Sequence, residues 1–109
     1  MNKEIPDGEY DLVVESATVK ETRSELQYIG IWLLIDSGPF KGTKVSHVAK
    51  PSSFIYRKQI EPILNGLVET CGLMTVSIDM IALLMFDRRF RATVKTDFHD
   101  GRQYRRLVV

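Results

Sequence analysis

The residues best suited to binding chemistry are two aromatic side chains separated by a glycine. Tyr28 and Trp32 stand four positions apart, with Gly30 midway between them. On an extended strand these three residues point to the same side, because side chains alternate between the two faces. Aromatic rings stack on other flat rings, and a glycine between them leaves room for one. Nucleobases are such rings, and single strands are bound by stacking together with cations that meet phosphates.

Lysine and arginine side chains near this segment could supply those cations. Lys44 and Lys50 begin and end the segment that follows the hairpin, and three further cations alternate with apolar residues after position 88. A histidine and an arginine flank the turn Asp100-Gly101. The predicted nucleic-acid-binding set is therefore Tyr28, Trp32, Lys44, Lys50, Arg89, Arg91, Lys95, His99 and Arg102.

The aromatic residues and the histidine also have purely structural interpretations. Trp32 is a core residue if a bulge reverses the alternation of its strand, and Tyr28 then only covers the mouth of a barrel. His99, at a hairpin tip, could simply be solvated. Phe98 continues the apolar row of its strand, so we expect it in the core rather than against a ligand.

The arginines have an alternative of their own. If the first and fourth strands pair, Arg89 and Arg91 form ion pairs with carboxylates and leave the binding surface; the candidate partners are Glu9, Asp11 and Glu15. Tyr104 and Arg106 share one face of the last strand, but the sequence does not reveal whether that face points outward.

Composition argues against most other kinds of site. The 109 residues carry a net charge of +1, one cysteine and two histidines. One cysteine and two scattered histidines fall short of the four ligands usual for structural zinc, and no phosphate loop or nucleophile motif is present. We therefore predict no enzyme, no metal and no cofactor. No signal peptide precedes the first strand, and no apolar run reaches the about 20 residues that span a membrane, so we expect a cytoplasmic protein.

The elements that position these residues follow from apolar periodicity. A first strand starts near Tyr10 and changes parity at a bulge near Glu15-Ser16, and a second strand covers residues 26–36 with an aliphatic inward row (Ile29, Ile31, Leu33 and Ile35). A third strand covers residues 44–50. An amphipathic helix follows over residues 60–71, with Cys71 on its apolar stripe and Pro62 at a kink or in its first turn. A second helix covers residues 75–86, capped by Ser77 or Asp79.

The chain then returns to strands. Apolar residues from Phe90 to Phe98 alternate with Arg89, Arg91 and Lys95, Asp100-Gly101 is a two-residue hairpin turn, and a last strand covers residues 103–109. The order β-β-β-α-β-β predicts a mainly β protein. Specifically, we expect residues 1–109 to form a single domain, a five-stranded OB-fold Greek-key barrel with a helix between strands three and four.

Several fragments along the chain resemble one family. They are residues 5–10 (IPDGEY), 19–22 (VKET), 40–45 (FKGTKV), 71–73 (CGL), 88–94 (RRFRATV) and 100–104 (DGRQY). Together they resemble a family of bacteriophage proteins, long catalogued as a domain of unknown function and regarded as single-stranded-DNA-binding proteins. The resemblance implies an OB fold, a role in phage DNA replication or recombination, and partners among replication or recombination proteins. Relatives often carry glycine where this chain has Asp87, a residue that tolerates left-handed backbone. Many single-strand-binding proteins recruit partners through an acidic tail; the sequence up to Val109 contains none, so we do not predict recruitment by that route from these residues.

A second interpretation belongs to another functional class. An OB-fold protein with a net charge of only +1 could instead serve protein–protein contact, as a phage adaptor or host-factor inhibitor. Residues 78–86, which include Met80 and Met85, form an apolar stretch suited to a partner or to a homodimer. A buried Trp32 with an exposed surface at residues 78–86 would favour this interpretation.

Overall fold

The computed structural model describes residues 5–64 and 77–108. Within these residues the protein is mainly β, with both helices between the third and fourth strands, as predicted. The elements are β1 (Gly8–Glu21), β2 (Gln27–Ile35), β3 (Lys44–Ala49), α1 (Tyr56–Leu64), α2 (Ile78–Met85), β4 (Arg89–His99) and β5 (Arg102–Leu107).

The five strands form one sheet that closes on itself in the order β1-β2-β3-β5-β4. The long strand β1 closes the sheet because it pairs with β2 along its second half and with β4 along its first half. The change of partner coincides with a register shift between Val14 and Ser16, which confirms the predicted bulge. A bulge bends and twists a strand, so one strand can serve both sides of the sheet.

Alternation on β2 separates the core from the surface. Its odd-numbered residues Ile29, Ile31, Leu33 and Ile35 are at most 2% exposed, which confirms the predicted inward row. They join one cluster of buried apolar residues that includes Ile60 and Ile63 of α1 and Met85 of α2. Both helices therefore bury their apolar sides against the inside of the sheet.

The first helix differs in its start from the sequence prediction. α1 begins at Tyr56, so Pro62 lies inside the helix and not in its first turn, and it removes one backbone donor there. Arg88 donates from Nε to the carbonyl of Ile63 at 3.4 Å and from Nη2 to that of Leu64 at 3.2 Å. These bonds make Arg88 a structural residue that holds α1 against the start of β4. The predicted residues 65–71, Cys71 among them, lie outside the described residues.

The second helix starts at Ile78, and of its two predicted caps the structure confirms Ser77. Ser77 is the N-cap of α2, and its hydroxyl accepts a hydrogen bond from the backbone nitrogen of Met80 at 3.2 Å. Predicted residues 75 and 76 lie outside the described residues. One side of α2 is buried through Ile81 and Met85, whereas Leu83 and Phe86 remain 71% and 64% exposed.

Two turns adopt the left-handed backbone that their residues allow. Asp87, which precedes β4, has φ of 60°, and aspartate is among the few non-glycine residues that tolerate this region. The hairpin between β4 and β5 turns through Asp100 and Gly101, with φ of 51° and 75°. Positive φ at both positions is what a two-residue hairpin turn requires.

The expectation that Phe98 belongs to the core is wrong. Its side chain is 68% exposed, although it continues the inward parity of Val94, which is fully buried. Phe98 pairs with Gln103 next to the hairpin turn. The strand has extended beyond the core at that point, so parity no longer implies burial.

Candidate nucleic-acid interface

Trp32 points away from the core, as the alternation of β2 predicts. Its side chain is 46% exposed, and its strand neighbours are Ser16 on β1 and Ser46 on β3. Both neighbours are serines, whose small side chains do not cover the indole. The sequence prediction of an outward Trp32 is confirmed.

An aromatic and cationic surface surrounds Trp32. Ser46 pairs with Trp32 on one side and with Arg106 of β5 on the other, so these three residues form a row across three strands. Alternation adds residues two or four positions away on the same strands. We call this surface the stacking face; it consists of Tyr28, Trp32, Lys44, Ser46, Tyr104 and Arg106.

The stacking face crosses the one parallel strand pair among the described strands. The Ser46 hydroxyl donates a hydrogen bond to the carbonyl of Arg105 at 3.0 Å and ties β3 to β5 there. Tyr104, two residues before Arg106, is 46% exposed. Two half-exposed rings therefore flank β3, with Trp32 on β2 at one side and Tyr104 on β5 at the other.

Lys44 lies beside the indole. Its ammonium is 5.5 Å from the centroid of the Trp32 ring, a cation–π distance. The same ammonium lies 3.8 Å from the carboxylate of Glu15, at the bulge of β1. Because the side chains of this ion pair are 61% and 41% exposed, the pair is weak.

A shallow cleft separates Tyr28 from Trp32. It has a volume of about 200 Å³, and Gly30 forms part of its lining. The side chain of Lys20 crosses it, with Cε 3.4 Å and Nζ 3.6 Å from the position that a Gly30 Cβ would occupy. The glycine therefore gives this part of the surface its depth, and a flexible lysine covers it.

The other predicted cations lie around the stacking face. Lys95 is exposed and lies opposite Arg106 in the register of β4 with β5. At the far end of that hairpin, Arg102 pairs with His99, whose ring lies 3.4 Å from the carboxylate of Asp100. Lys50 is exposed just past the end of β3. These four residues border the stacking face and are not part of it.

Arg89 and Arg91 lie elsewhere. Arg91 donates to Asp11 at 3.0 Å and to Glu9 at 3.4 Å, and Arg89 donates to Asp36 at 3.1 Å. These bonds realise the alternative in which β1 and β4 pair, with Asp36 in place of the expected partner for Arg89. Three carboxylates face two guanidinium groups here, which makes this surface a poor phosphate track.

The protonation of this ion-pair network is shifted towards the charged forms. A hydrogen bond from the Ser37 hydroxyl, and a second from Arg91, hold the pKa of Asp11 below its ordinary value. Hydrogen bonds to Asp11 and Glu9 raise the pKa of Arg91 in turn. Both groups are exposed, so their attraction is screened by solvent.

Sequence reasoning missed Lys20 and left the direction of Tyr104 and Arg106 open. The structure places both of these outward, because Leu107 next to Arg106 is 3% exposed and therefore inward. The side chain of Arg106 also pairs with the Asp97 carboxylate on the neighbouring strand. Lys20 had no such signal, because its approach to Gly30 depends on the pairing of β1 with β2.

A buried histidine lies beneath the sheet. His47 of β3 is 7% exposed, and its Nε2 hydrogen-bonds to the carbonyl oxygen of Gln59 in α1 at 2.5 Å. Burial lowers the pKa of His47, with the Gln59 bond acting weakly in the opposite direction. His47 links β3 to α1 through this hydrogen bond.

Residues 5–64 and 77–108 contain no group of three or more histidine, cysteine, aspartate or glutamate side chains that could hold a metal ion. None of the helices in those ranges is long and apolar enough to cross a membrane.

Comparison of the chain with protein-family models and with curated protein sequences finds no match. The resemblance to phage single-stranded-DNA-binding proteins therefore stays a prediction.

Proposed function

We propose that this protein binds single-stranded DNA on its stacking face and that its closed sheet is an OB fold. Support for the fold comes from the strand order, with β1 pairing with β4 and the helices lying between β3 and β4. OB folds bind oligonucleotides on strands two and three and on the adjoining loops. Tyr28 and Trp32 of the stacking face lie on β2, Lys44 and Ser46 lie on β3, and Tyr104 and Arg106 extend the face onto β5.

The observation that carries the proposal is the half-exposed Trp32. Tryptophan is the largest apolar side chain, and leaving much of its surface in water forgoes a large favourable burial energy. A stacked base would restore that burial. Because every base has a flat ring, binding by stacking is largely independent of sequence.

Cations beside the rings complete the proposed site. Lys44 lies next to the indole, Arg106 lies two strands away in the same row, and Lys95 adjoins Arg106. Phosphates that follow the bases would meet these groups in turn. By its resemblance to phage proteins, we assign the protein a role in protecting or organising single strands during phage replication or recombination.

Replacement of Trp32 tests the proposal. Trp32→Ala should weaken binding to oligo-dT roughly five- to a hundred-fold, because base–aromatic stacking contributes about 1–3 kcal/mol. The melting temperature should fall far less than for a core tryptophan, whose truncation costs about 3–5 kcal/mol. Fluorescence anisotropy of labelled oligo-dT measures the affinity of each variant.

Phe86→Ala is the matched control, since Phe86 is an exposed aromatic residue at the end of α2. It should bind oligo-dT as the wild type does. Unchanged affinity of a folded Trp32→Ala variant would contradict the proposal.

Protein–protein contact remains a second candidate because of one observation on α2. Met80, Leu83 and Phe86 are 48%, 71% and 64% exposed and form an apolar surface. Loss of a protein partner or of self-association in Phe86→Ala, together with no DNA binding by the wild type, would favour this candidate.

A further inference from the structure

Phe54 is the most exposed large apolar side chain among the residues that the structure describes. It is 100% exposed and lies between β3 and α1. Full burial of a phenylalanine stabilises a protein by about 1.5–3 kcal/mol relative to exposure, and here none of that is realised. Its exposure is therefore a second feature, separate from Trp32, that a stacking ligand would explain.

The backbone around Phe54 is held by hydrogen bonds on both sides. Ser53 donates from its nitrogen to the carbonyl of Lys50 at 2.9 Å, and Tyr56 donates to the carbonyl of Ser53 at 3.1 Å. The Ser53 hydroxyl accepts from the nitrogen of Ile55 at 3.3 Å. The backbone nitrogen of Lys50 donates to Oε1 of Gln59 at 2.8 Å. The ring of Phe54 is thus presented from a defined turn.

The turn lies beyond the Tyr28 end of the stacking face. Ala49 pairs with Ile29 in the terminal pair of this antiparallel register, so the chain leaves β3 through Lys50 at the end of the pairing where Tyr28 precedes Ile29. Phe54 follows Lys50 by four residues. A strand of DNA that passes from Trp32 over Tyr28 leaves the sheet at this turn.

Charge identifies the kind of ligand that fits the turn. Lys50 and Lys58, on either side of Phe54 in the chain, are both exposed. Lysine is depleted at the centres of protein–protein interfaces, whereas an exposed aromatic ring with a lysine four residues away on each side along the chain suits a polyanion that carries flat bases.

We infer that Phe54 is a further base-stacking residue, which extends the single-stranded-DNA site past Tyr28. This inference rests on the proposed function. An OB fold occupies about 4–16 nucleotides, and Phe54 would engage only strands long enough to reach from the sheet to the turn.

The test is the affinity of Phe54→Ala for oligo-dT of increasing length, from four to sixteen nucleotides. With long oligonucleotides the variant should bind roughly five- to a hundred-fold more weakly than the wild type, and with the shortest ones equally well. Its melting temperature should not change, because the replaced ring contacts solvent only. Phe86→Ala serves again as the control with an exposed phenylalanine away from the stacking face.

The outcomes separate this inference from the proposed function. If Trp32→Ala loses affinity while Phe54→Ala binds all lengths normally, the DNA does not reach the turn and the inference is wrong. An equal loss at every length also overturns it, because Phe54 would then belong to the minimal site. If the wild type binds no oligonucleotide, the proposed function fails first.

Discussion

Trp32 remains half-exposed because the inward positions of β2 are already filled. Four aliphatic residues occupy them, so the even-numbered residues must point outward. That outcome could be predicted from the sequence because the aliphatic row is unbroken. Phe54 could not be found in this way, since no periodic pattern extends over its turn and only the folded structure shows that its side chain is fully exposed.

The buried His47 predicts how the stability of the protein depends on pH. Burial places its pKa below the ordinary value of 6.5 in the folded protein, so the unfolded chain takes up a proton first as the pH falls. The stability that depends on this histidine is therefore fully present above about pH 6.5, and it is lost as the pH falls from there to the lower pKa of His47 in the folded protein. Between pH 7.5 and 5.5 the loss should reach up to about 1.4 kcal/mol for this one proton.

Urea unfolding of the wild type and of His47→Gln at both pH values measures this loss. Glutamine does not titrate and can still donate to the Gln59 carbonyl, and all carboxylates are common to the two proteins. The wild type should lose more stability than the variant on acidification. An equal decrease in both proteins would contradict the assignment of the effect to His47.

At the scale of elements, the pairing of strands decides which cations are available for binding. Alternation places Arg89 and Arg91 on an outer surface, and the inward Leu107 places Arg106 on one. The pairing of β1 with β4 then places Arg91 against two carboxylates, Asp11 and Glu9. Arg106 pairs with the carboxylate of Asp97, and closure between β3 and β5 brings it beside Ser46 within the stacking face. Sequence periodicity predicts the direction of a side chain but not its neighbours on another strand.

Two arginines test this difference between the surfaces. Both are ion-paired on strand surfaces, with side chains 46% exposed for Arg106 and 58% for Arg91. Arg106→Ala should weaken binding to oligo-dT and reduce the slope of log K against log[salt] by about 0.7, the value for one single-strand phosphate contact. Arg91→Ala should change neither quantity.

Titrations of both variants at several salt concentrations give the slopes. If Arg91→Ala reduces the slope and Arg106→Ala does not, the DNA follows the β1–β4 surface, and the placement of the site on the stacking face is wrong.

At the scale of the whole molecule, strand order was more predictable than helix limits. Five alternating segments with a bulge and two hairpin turns restrict the chain to few arrangements, and the observed sheet has the expected five strands. The start of α1 at Tyr56 depends on capping and turn hydrogen bonds near Ser53, which periodicity does not report. The position of Phe98 beyond the core depends on how far β4 extends, another property of the assembled sheet.

The most direct test of the account uses the intrinsic fluorescence of Trp32, the only tryptophan. Oligo-dT and a duplex of equal length are titrated into the wild-type protein at low salt and then at increasing salt. A stacking site at Trp32 predicts quenching by the single strand, much weaker binding of the duplex, and a slope of about −3 in log K against log[salt] if four phosphates are contacted. Unchanged Trp32 fluorescence with oligo-dT, or equal affinity for the duplex, would contradict it.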